Sequence, residues 1–337
     1  MSVPTTVGAP PRTLRTSISW YLRPRHPLLV RSAALADAIT VAGPKGPEEV
    51  RRLRNSGFNA PVLFDGCGYA GQDVGGPDEW AGLQRAASAD RVLLPGAFVD
   101  WDRDDAQLLV RVVKQQAALA QALDATMVLA IDSHWLARRH EHMADVFREA
   151  DCAVALVLAA RADPLALGGA VAGLRWVAQR VLRLSILRSD HGAFGALAFG
   201  AVHASIGMAT STRHFATAAM RPHRMPGGSS RVFVRELLDW FRASEIAGWA
   251  AAGADFRCHL GCCNGAPLAR FLDEDVDATW HNMNALSDFA GVVLDVNPED
   301  RHGEFLAECR AAVAQYGLAG FKGPDNPKAQ LTGWVLS

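Results

Sequence analysis

The sequence lacks an excess of charge of either sign. It contains 34 Lys and Arg residues against 35 Asp and Glu residues, which gives a formal net charge of −1. No global positive field therefore attracts a polyanion, and a nucleic acid would have to be bound by a local patch. Half of the 337 residues are apolar and a fifth are charged, which excludes disordered, collagen-like and coiled-coil proteins and allows a large core.

Signals for export and for a membrane span are also missing. The first 17 residues are polar, contain several prolines and have no apolar core, so we expect an irregular N-terminal arm over residues 1–25. The uncharged stretch 194–212 contains Gly, His, Ser and Thr, which favours a buried helix and strand over a membrane helix. Six cysteines, three of them clustered, are too few for a disulfide scaffold, so we expect a reduced, cytoplasmic protein.

Short β-type runs alternate with helix-length segments along most of the chain. We predict eight strands, at residues 38–43, 61–66, 91–96, 126–132, 152–159, 181–187, 204–210 and 256–262. The segments between them mostly have the 3.6-residue period of amphipathic helices. This pattern predicts an α/β fold, a (β/α)8 TIM-type barrel, with residues 26–255 forming most of it. Residues 256–337 would hold the last strand, a small Cys/His subsite and a tail.

Polar residues follow several predicted strands, at the end of a barrel where active sites lie. They include Asp65, Asp132, Asp163, Arg188, Asp190, Arg213 and His214. Carboxylates that face one cavity can divide acid and base roles between them. Alternatively, Asp163 and Asp190 cap the helices that they precede. Asp65 is followed instead by a Gly-rich loop that includes Gly68, and such a loop lets the backbone approach a ligand closely.

The densest group of soft metal ligands lies near the C-terminus. Cys258, Cys262, Cys263 and His281 would supply three sulfurs and one nitrogen for a tetrahedral Zn²⁺ ion, with His259 as an alternative ligand. The C-x3-C-C spacing differs from the common C-x2-C arrangement, so buried free thiols are the other interpretation.

Taken in order, these motifs resemble the tRNA-guanine transglycosylase superfamily over residues 61–285. The segment PVLFDGCGY is similar to the family's Pro-x-Leu-Thr-Asp-Ser-Gly-Gly-Phe, and LAID, ending in Asp132, is similar to Met-Ala-Phe-Asp-Glu. Thr212 and Arg213 match the end of Met-Pro-Thr-Arg, and His281 with Asn282 matches the His-Asn after the family's zinc cysteines. Leu260 stands where the family has its middle cysteine.

The resemblance implies exchange of a guanine or 7-deazaguanine base in tRNA, DNA or a nucleoside, with bound zinc and a homodimeric state. It implies that Asp65 handles protons and that Asp132 holds the purine edge. The family's nucleophilic Asp lies shortly before the Thr-Arg pair, where this chain has Gly207 and no carboxylate. Either Asp190 takes that role, or the chain is a non-catalytic relative that binds a nucleotide or nucleic acid.

Two further features bear on partners. Residues 213–235 contain seven Arg and His residues and no acidic residue, so this segment could contact phosphates or simply be a solvated loop. Arg188, Asp190, Arg213 and His214 could alternatively hold an anionic small molecule in an unrelated barrel lyase or hydrolase.

Overall fold

Eight parallel strands and their crossover helices form a (β/α)8 barrel, which confirms the predicted fold class. The computed structural model describes residues 17–101, 105–220, 230–272, 275–318 and 320–337. The strand order in the sheet is β3-β2-β1-β8-β7-β6-β5-β4. The strands are β1 (Ser17–Leu22), β2 (Ala38–Ala42), β3 (Val62–Asp65), β4 (Ala97–Val99), β5 (Met127–Asp132), β6 (Val154–Ala159), β7 (Leu184–Ser189) and β8 (His203–Gly207).

The first strand of the barrel lies in the segment that the sequence assigns to the N-terminal arm. β1 pairs with β2 on one side and with β8 on the other. It thereby joins the strands from the start of the sequence to the last strand of the barrel. Ser19 points into the barrel, where its hydroxyl lies 2.7 Å from the hydroxyl of Thr40. Because serines alternate with apolar residues in this strand, it is not a continuous apolar run of the kind used to predict the other strands.

The edge between β3 and β4 is held by side chains rather than by a strand ladder. Gln84 accepts a hydrogen bond from the Leu93 N–H (2.9 Å) and donates one to its carbonyl (2.7 Å), as a neighbouring strand would. The carboxylate of Asp90 accepts from the Val62 N–H at 2.5 Å. These hydrogen bonds satisfy backbone groups of the segment before β4. The prediction of a strand at 91–96 is wrong in position, because β4 begins at Ala97 and the earlier segment forms an isolated bridge between Leu93 and Thr126.

Helices cover the outside of the barrel and continue beyond it. They are α1 (Leu29–Ser32), α2 (Gly46–Arg54), α3 (Pro77–Ala86), α4 (Ala106–Ala122), α5 (His134–Glu149), α6 (Ala170–Arg180), α7 (Ala193–Ala198), α8 (Ala243–Ala251), α9 (Asp275–Leu294), α10 (Arg301–Tyr316) and α11 (Ala329–Leu336). The main core lies between helices and strands, and a second apolar cluster fills the barrel interior. Among the described residues, no helix has the length and apolar character needed to cross a membrane.

The predicted eighth strand, residues 256–262, lies outside the barrel. Instead, β11 (Arg257–Cys258) pairs antiparallel with β12 (Ala266–Pro267) in a short hairpin that carries the clustered cysteines. A second hairpin, β9 (Arg231–Val234) with β10 (Asp239–Arg242), precedes it. The barrel needs no strand from this region because β1 already pairs with β8.

Candidate functional site at the carboxyl end of the barrel

Asp65 ends β3 and is completely buried, with a side chain that faces the barrel interior. The hydroxyls of Tyr21 and Tyr69 donate hydrogen bonds to its Oδ2 at 2.6 and 2.7 Å. The Cys67 N–H donates to Oδ1 at 2.9 Å. The carboxylate is thus fixed by three donors, one from β1 and two from the loop after β3. Burial and the negative charge of Asp65 raise the pKa of both tyrosines well above the usual value.

An aromatic cluster and one arginine lie against this carboxylate. The ring of Phe215 meets Tyr69 and Phe98 edge-on, with centroids 5.2 and 5.4 Å apart. The Arg188 guanidinium lies 5.6 Å from the Phe215 ring, and its Nη1 donates to the Tyr69 hydroxyl at 3.4 Å. We call Tyr21, Asp65, Tyr69, Arg188 and Phe215 the mouth cluster, because it occupies the carboxyl end of the barrel.

Two glycines at the mouth are in close contact with backbone. Gly68 donates its N–H to the Pro95 carbonyl at 2.9 Å, and a Cβ there would lie 2.8 Å from the same oxygen. Gly68 therefore lets two loops pack together. Gly207 faces the interior at the end of β8, and a Cβ there would lie 2.0 Å from the Thr212 carbonyl oxygen. The turn after β8 thus leaves no room for a side chain at position 207.

Asp132 ends β5 and is paired with a histidine. Its Oδ1 accepts a hydrogen bond from the His134 N–H at 2.9 Å and lies 2.7 Å from His134 Nδ1. The imidazole stacks on Trp101, with an interplanar angle of 17° and centroids 5.9 Å apart. Asp132 therefore positions His134, a residue that the resemblance does not include.

Asp163 caps the 3-10 helix Pro164–Ala166, as the capping alternative predicts, whereas Asp190 closes a turn before α7 and does not cap that helix. Asp190 Oδ1 accepts from the Gly192 N–H at 2.8 Å, just before α7, and from Gln330 Nε2 at 3.0 Å. Asp163 accepts from the Leu165 N–H at 2.9 Å. Burial, with Asp190 nearby, raises the pKa of Asp163 to about 7. Asp190 is thus engaged by a turn and by α11, and it shares no described hydrogen-bond partner with Asp65.

Arg213 is buried and bonded to backbone rather than open to a ligand. Its Nε and Nη2 donate to the carbonyls of Gly207 and Met208 at 3.2 and 3.0 Å, and its guanidinium stacks on Trp240 at 3.2 Å. Burial lowers the pKa of Arg213 to about 9. His214 is half-buried near Asp190 and Arg188, and burial lowers its pKa too. Of the basic segment, residues 221–229 lie outside the described residues.

The clustered cysteines converge with His281, as predicted. The ligand atoms of Cys258, Cys262, Cys263 and His281 all lie within 4.8 Å of one another, so this Cys3His group could hold a metal ion. The Cys263 Sγ lies 3.5 Å from His281 Nδ1. A tight turn brings the cysteines together, with the Gly265 N–H donating to the Cys258 carbonyl at 2.8 Å. His259 is not part of the group.

The histidine of this cluster is oriented for ligation. His281 Nε2 donates to the Phe233 carbonyl at 2.9 Å, which leaves Nδ1 directed at the sulfurs. Asn282 accepts from the Phe233 N–H and donates to the Arg231 carbonyl, both at 2.7 Å. Thiols around His281 raise its pKa to about 11, and His281 with Arg270 lowers that of Cys263 to about 6. Cys263 is thereby favoured as a thiolate paired with protonated His281, whereas burial raises the pKa of Cys262, so a bound metal ion would have to replace the proton of the imidazole.

Tyr21 and Phe215 are the site residues that the sequence reasoning missed. Tyr21 lies in the segment that the sequence assigns to an arm, and the spacing of Phe215 indicates ordinary packing. The chain has only three tyrosines, and two of them bond Asp65. That scarcity is the one sequence signal that could have drawn attention to Tyr21.

The comparisons with known proteins find distant structural similarities but no family. No protein-family model and no curated protein matches the chain. The 3-keto-L-gulonate-6-phosphate decarboxylase of Vibrio cholerae is 16% identical, with a TM-score of 0.35 over 57% of this chain and 87% of that one. The type I 3-dehydroquinate dehydratase of Clostridium difficile is 12% identical, with a TM-score of 0.32 over 59% and 87%. A xylose isomerase-like TIM barrel/4-hydroxyphenylpyruvate dioxygenase fusion protein is 16% identical, with a TM-score of 0.37 over 59% of this chain and 40% of its own length. The assignment of the barrel rests on the strand order and pairing described above.

Proposed function

We propose that the mouth cluster binds a guanine or 7-deazaguanine base and that the protein exchanges this base in tRNA, DNA or a nucleoside. The observation that carries the proposal is Asp65, a buried carboxylate held by two tyrosines beneath an aromatic cluster. A planar heterocycle stacks favourably on such rings, and its N–H groups find an acceptor in the carboxylate.

The exchange would depend on Asp65 for charge and proton transfer. The glycosidic C–N bond of the outgoing base breaks, and the Asp65 carboxylate stabilises the oxocarbenium-like sugar. The incoming base forms the new C–N bond and loses a proton, which Asp65 passes to the outgoing base. Since Gly207 leaves no space for a carboxylate and Asp190 accepts hydrogen bonds from Gly192 and Gln330, this route avoids a covalent intermediate on β8.

An exchange assay tests the proposal. Purified protein is offered labelled guanine or 7-deazaguanine together with bulk tRNA, duplex DNA or single-stranded DNA. We expect label in one polymer, abolished in Asp65→Asn and retained in Asp73→Asn, a control carboxylate in an exposed loop. Full activity in Asp65→Asn would refute the role of Asp65. Binding of the base without any exchange would favour the non-catalytic alternative.

A second candidate function is the binding of an anionic small molecule by Arg188. The Nε of this arginine is buried without a hydrogen-bond partner among the described residues, and its backbone is left-handed, with φ +50°. Titration calorimetry with phosphorylated and carboxylate ligands should show saturable binding that Arg188→Ala abolishes. Arg213→Ala is unsuitable here because Arg213 bonds two backbone carbonyls.

We also propose that the Cys3His group binds Zn²⁺ in a structural role. Three thiolates and an imidazole are the soft ligands that zinc prefers in closed, four-ligand sites. The site would join the β11–β12 hairpin to α9 and, through the Phe233 carbonyl, to β9. Elemental analysis of the purified protein should find about one zinc per chain. In the cytoplasm the three cysteines would stay reduced and so remain able to bind the metal.

A further inference from the structure

The β9–β10 hairpin belongs both to the small core around the Cys3His group and to the main core of the protein. Phe233 of β9 lies opposite Trp240 of β10. Side chains alternate between the two faces of a strand. Val232 and Val234 therefore pack in the small core with the cysteines, and the two aromatic residues pack in the main core. The hairpin is thus a wall that the two cores share.

One edge of this hairpin is bonded to α9, the helix that carries the histidine of the Cys3His group. His281 Nε2 donates to the Phe233 carbonyl at 2.9 Å, and Asn282 Oδ1 accepts from the Phe233 N–H at 2.7 Å. Both backbone groups of Phe233 are therefore engaged by neighbouring side chains of α9. A metal ion bound to His281 Nδ1 would restrain the other side of the imidazole, and the position of Phe233 with it.

Two aromatic rings connect this edge to the turn after β8. The rings of Phe233 and Trp240 have centroids 5.3 Å apart and an interplanar angle of 57°. The guanidinium of Arg213 lies 3.2 Å from the centre of the Trp240 ring. The Nε1 of Trp240 is buried and has no hydrogen-bond partner among the described residues. Packing, rather than a hydrogen bond of the indole, therefore holds this ring against the arginine.

Arg213 in turn holds the end of β8, from which the mouth cluster is reached. It donates to two carbonyls there, those of Gly207 and Met208. The same turn includes Ser211, whose carbonyl accepts from Arg188 Nη2 of the mouth cluster at 2.9 Å. A continuous series of described contacts therefore leads from the Cys3His group to the mouth cluster.

We propose that Trp240 is a positioning residue through which a metal ion bound to the Cys3His group orders the turn after β8 and, with it, Arg188. This inference rests on the proposed zinc site and does not require base exchange. The metal restrains the hairpin through His281, and the Trp240 ring supports the guanidinium that holds the turn. Lys328 also anchors the hairpin, by donating to Asp239 and to the Trp240 carbonyl. Removal of the metal should therefore loosen the turn without unfolding the barrel.

Hydrogen–deuterium exchange followed by mass spectrometry measures this effect without a substrate. The Ala209 N–H donates to Thr212 Oγ1 at 3.0 Å, and the Thr212 N–H donates to the Ala209 carbonyl at 2.8 Å, so these two amides report on the turn. Zinc added to metal-free protein should slow their exchange about 5- to 150-fold, the usual range for coupling between two sites. Amides of β5, such as that of Met127, should exchange equally with and without zinc. An equal effect of zinc on β5 would indicate general stabilisation and would overturn the proposal.

Variants test whether the effect passes through Trp240. Trp240→Ala should still bind zinc, but zinc should no longer slow exchange in the turn, whereas Trp240→Phe keeps a ring beside the guanidinium and should keep most of the effect. If Trp240→Ala does not fold, Trp240→Leu replaces it, because leucine retains apolar volume but has no planar face. Trp176→Ala is the matched control. Trp176 also stacks on an arginine, with the Arg180 guanidinium 3.3 Å from its ring, but it lies on α6, and its loss should leave the effect of zinc unchanged.

The results distinguish failure of the coupling from failure of the zinc site. Zinc that binds the wild type without slowing exchange in the turn would overturn the coupling and leave the zinc site intact. Wild-type protein that binds no zinc would refute both. Equal protection of the turn by zinc in the wild type and in the folded alanine or leucine variant would show that Trp240 does not transmit the effect, and would also overturn the proposal.

Discussion

Gly207→Ala should strongly destabilise the protein, because the site of a side chain at this position is already filled by backbone. The new Cβ would lie 2.0 Å from the Thr212 carbonyl oxygen and 2.3 Å from its carbonyl carbon. Neither atom can move away by a change of rotamer, so the whole turn at Thr210–Thr212 must shift. Overpacking of a core typically costs about 1–3 kcal/mol, and a backbone clash belongs at or above the upper limit.

Urea unfolding followed by far-UV circular dichroism measures this cost. We expect Gly207→Ala to lose about 3 kcal/mol or more of the free energy of unfolding. Gly82→Ala is the matched control, because Gly82 lies within α3 and an alanine Cβ there would have no neighbouring atom within 4 Å, so alanine should stabilise by about 0.5–1 kcal/mol. If Gly207→Ala changes stability by less than about 0.5 kcal/mol, the turn is not packed as described.

Three further outcomes follow from the described contacts. EDTA should lower the free energy of unfolding of the wild type by about 3 kcal/mol where free zinc stands about a hundredfold above its dissociation constant. Cys263→Ala should show little such effect, whereas Cys152→Ala should behave as the wild type. Asp132→Ala should shift neutral His134 from the Nδ1–H towards the Nε2–H tautomer, visible in ¹⁵N NMR; an unchanged tautomer would refute the pairing at 2.7 Å. Burial lowers the pKa of His203 to about 3, so the unfolded chain binds an extra proton between about pH 6.5 and pH 3, and stability falls as the pH falls through this range. Relative to His203→Gln, the wild type should lose on the order of 3 kcal/mol between pH 7 and pH 4 in urea unfolding, and parallel pH profiles would contradict this burial.

Apolar runs predicted most of the barrel, and the exceptions at β1 and at residues 256–262 have different physical causes. The strands at 126–132 and 152–159 are apolar on both faces and occur at nearly the same residues in the structure. β1 was missed because its inward positions carry serine, and this barrel tolerates small polar residues inside, such as Ser19, Thr40 and Ser205. The spurious eighth strand was apolar for another reason, since its cysteines and Phe256 pack in a separate small core.

The candidate site was predictable where its residues follow strands in the sequence. Asp65, Asp132 and the Cys3His group could be identified from their spacing. The convergence of Tyr21 with Asp65 depends on a contact across 44 residues of sequence, and the position of Phe215 depends on the path of the chain after β8. A sequence pattern with a period of two or 3.6 residues contains no information on such a path.

The absence of a side chain at position 207 and the position of Phe215 at the mouth have one structural origin. The turn after Gly207 packs its Thr212 carbonyl where a side chain would begin, and Arg213 holds that turn by bonding the carbonyls of Gly207 and Met208. Two residues later, this placement brings Phe215 against Tyr69. A side chain at position 207 would push Thr212 outwards, and Arg213 and Phe215 with it. A glycine at the end of β8 is therefore a condition for the contact of Phe215 with Tyr69, and a carboxylate introduced at position 207 would displace this ring.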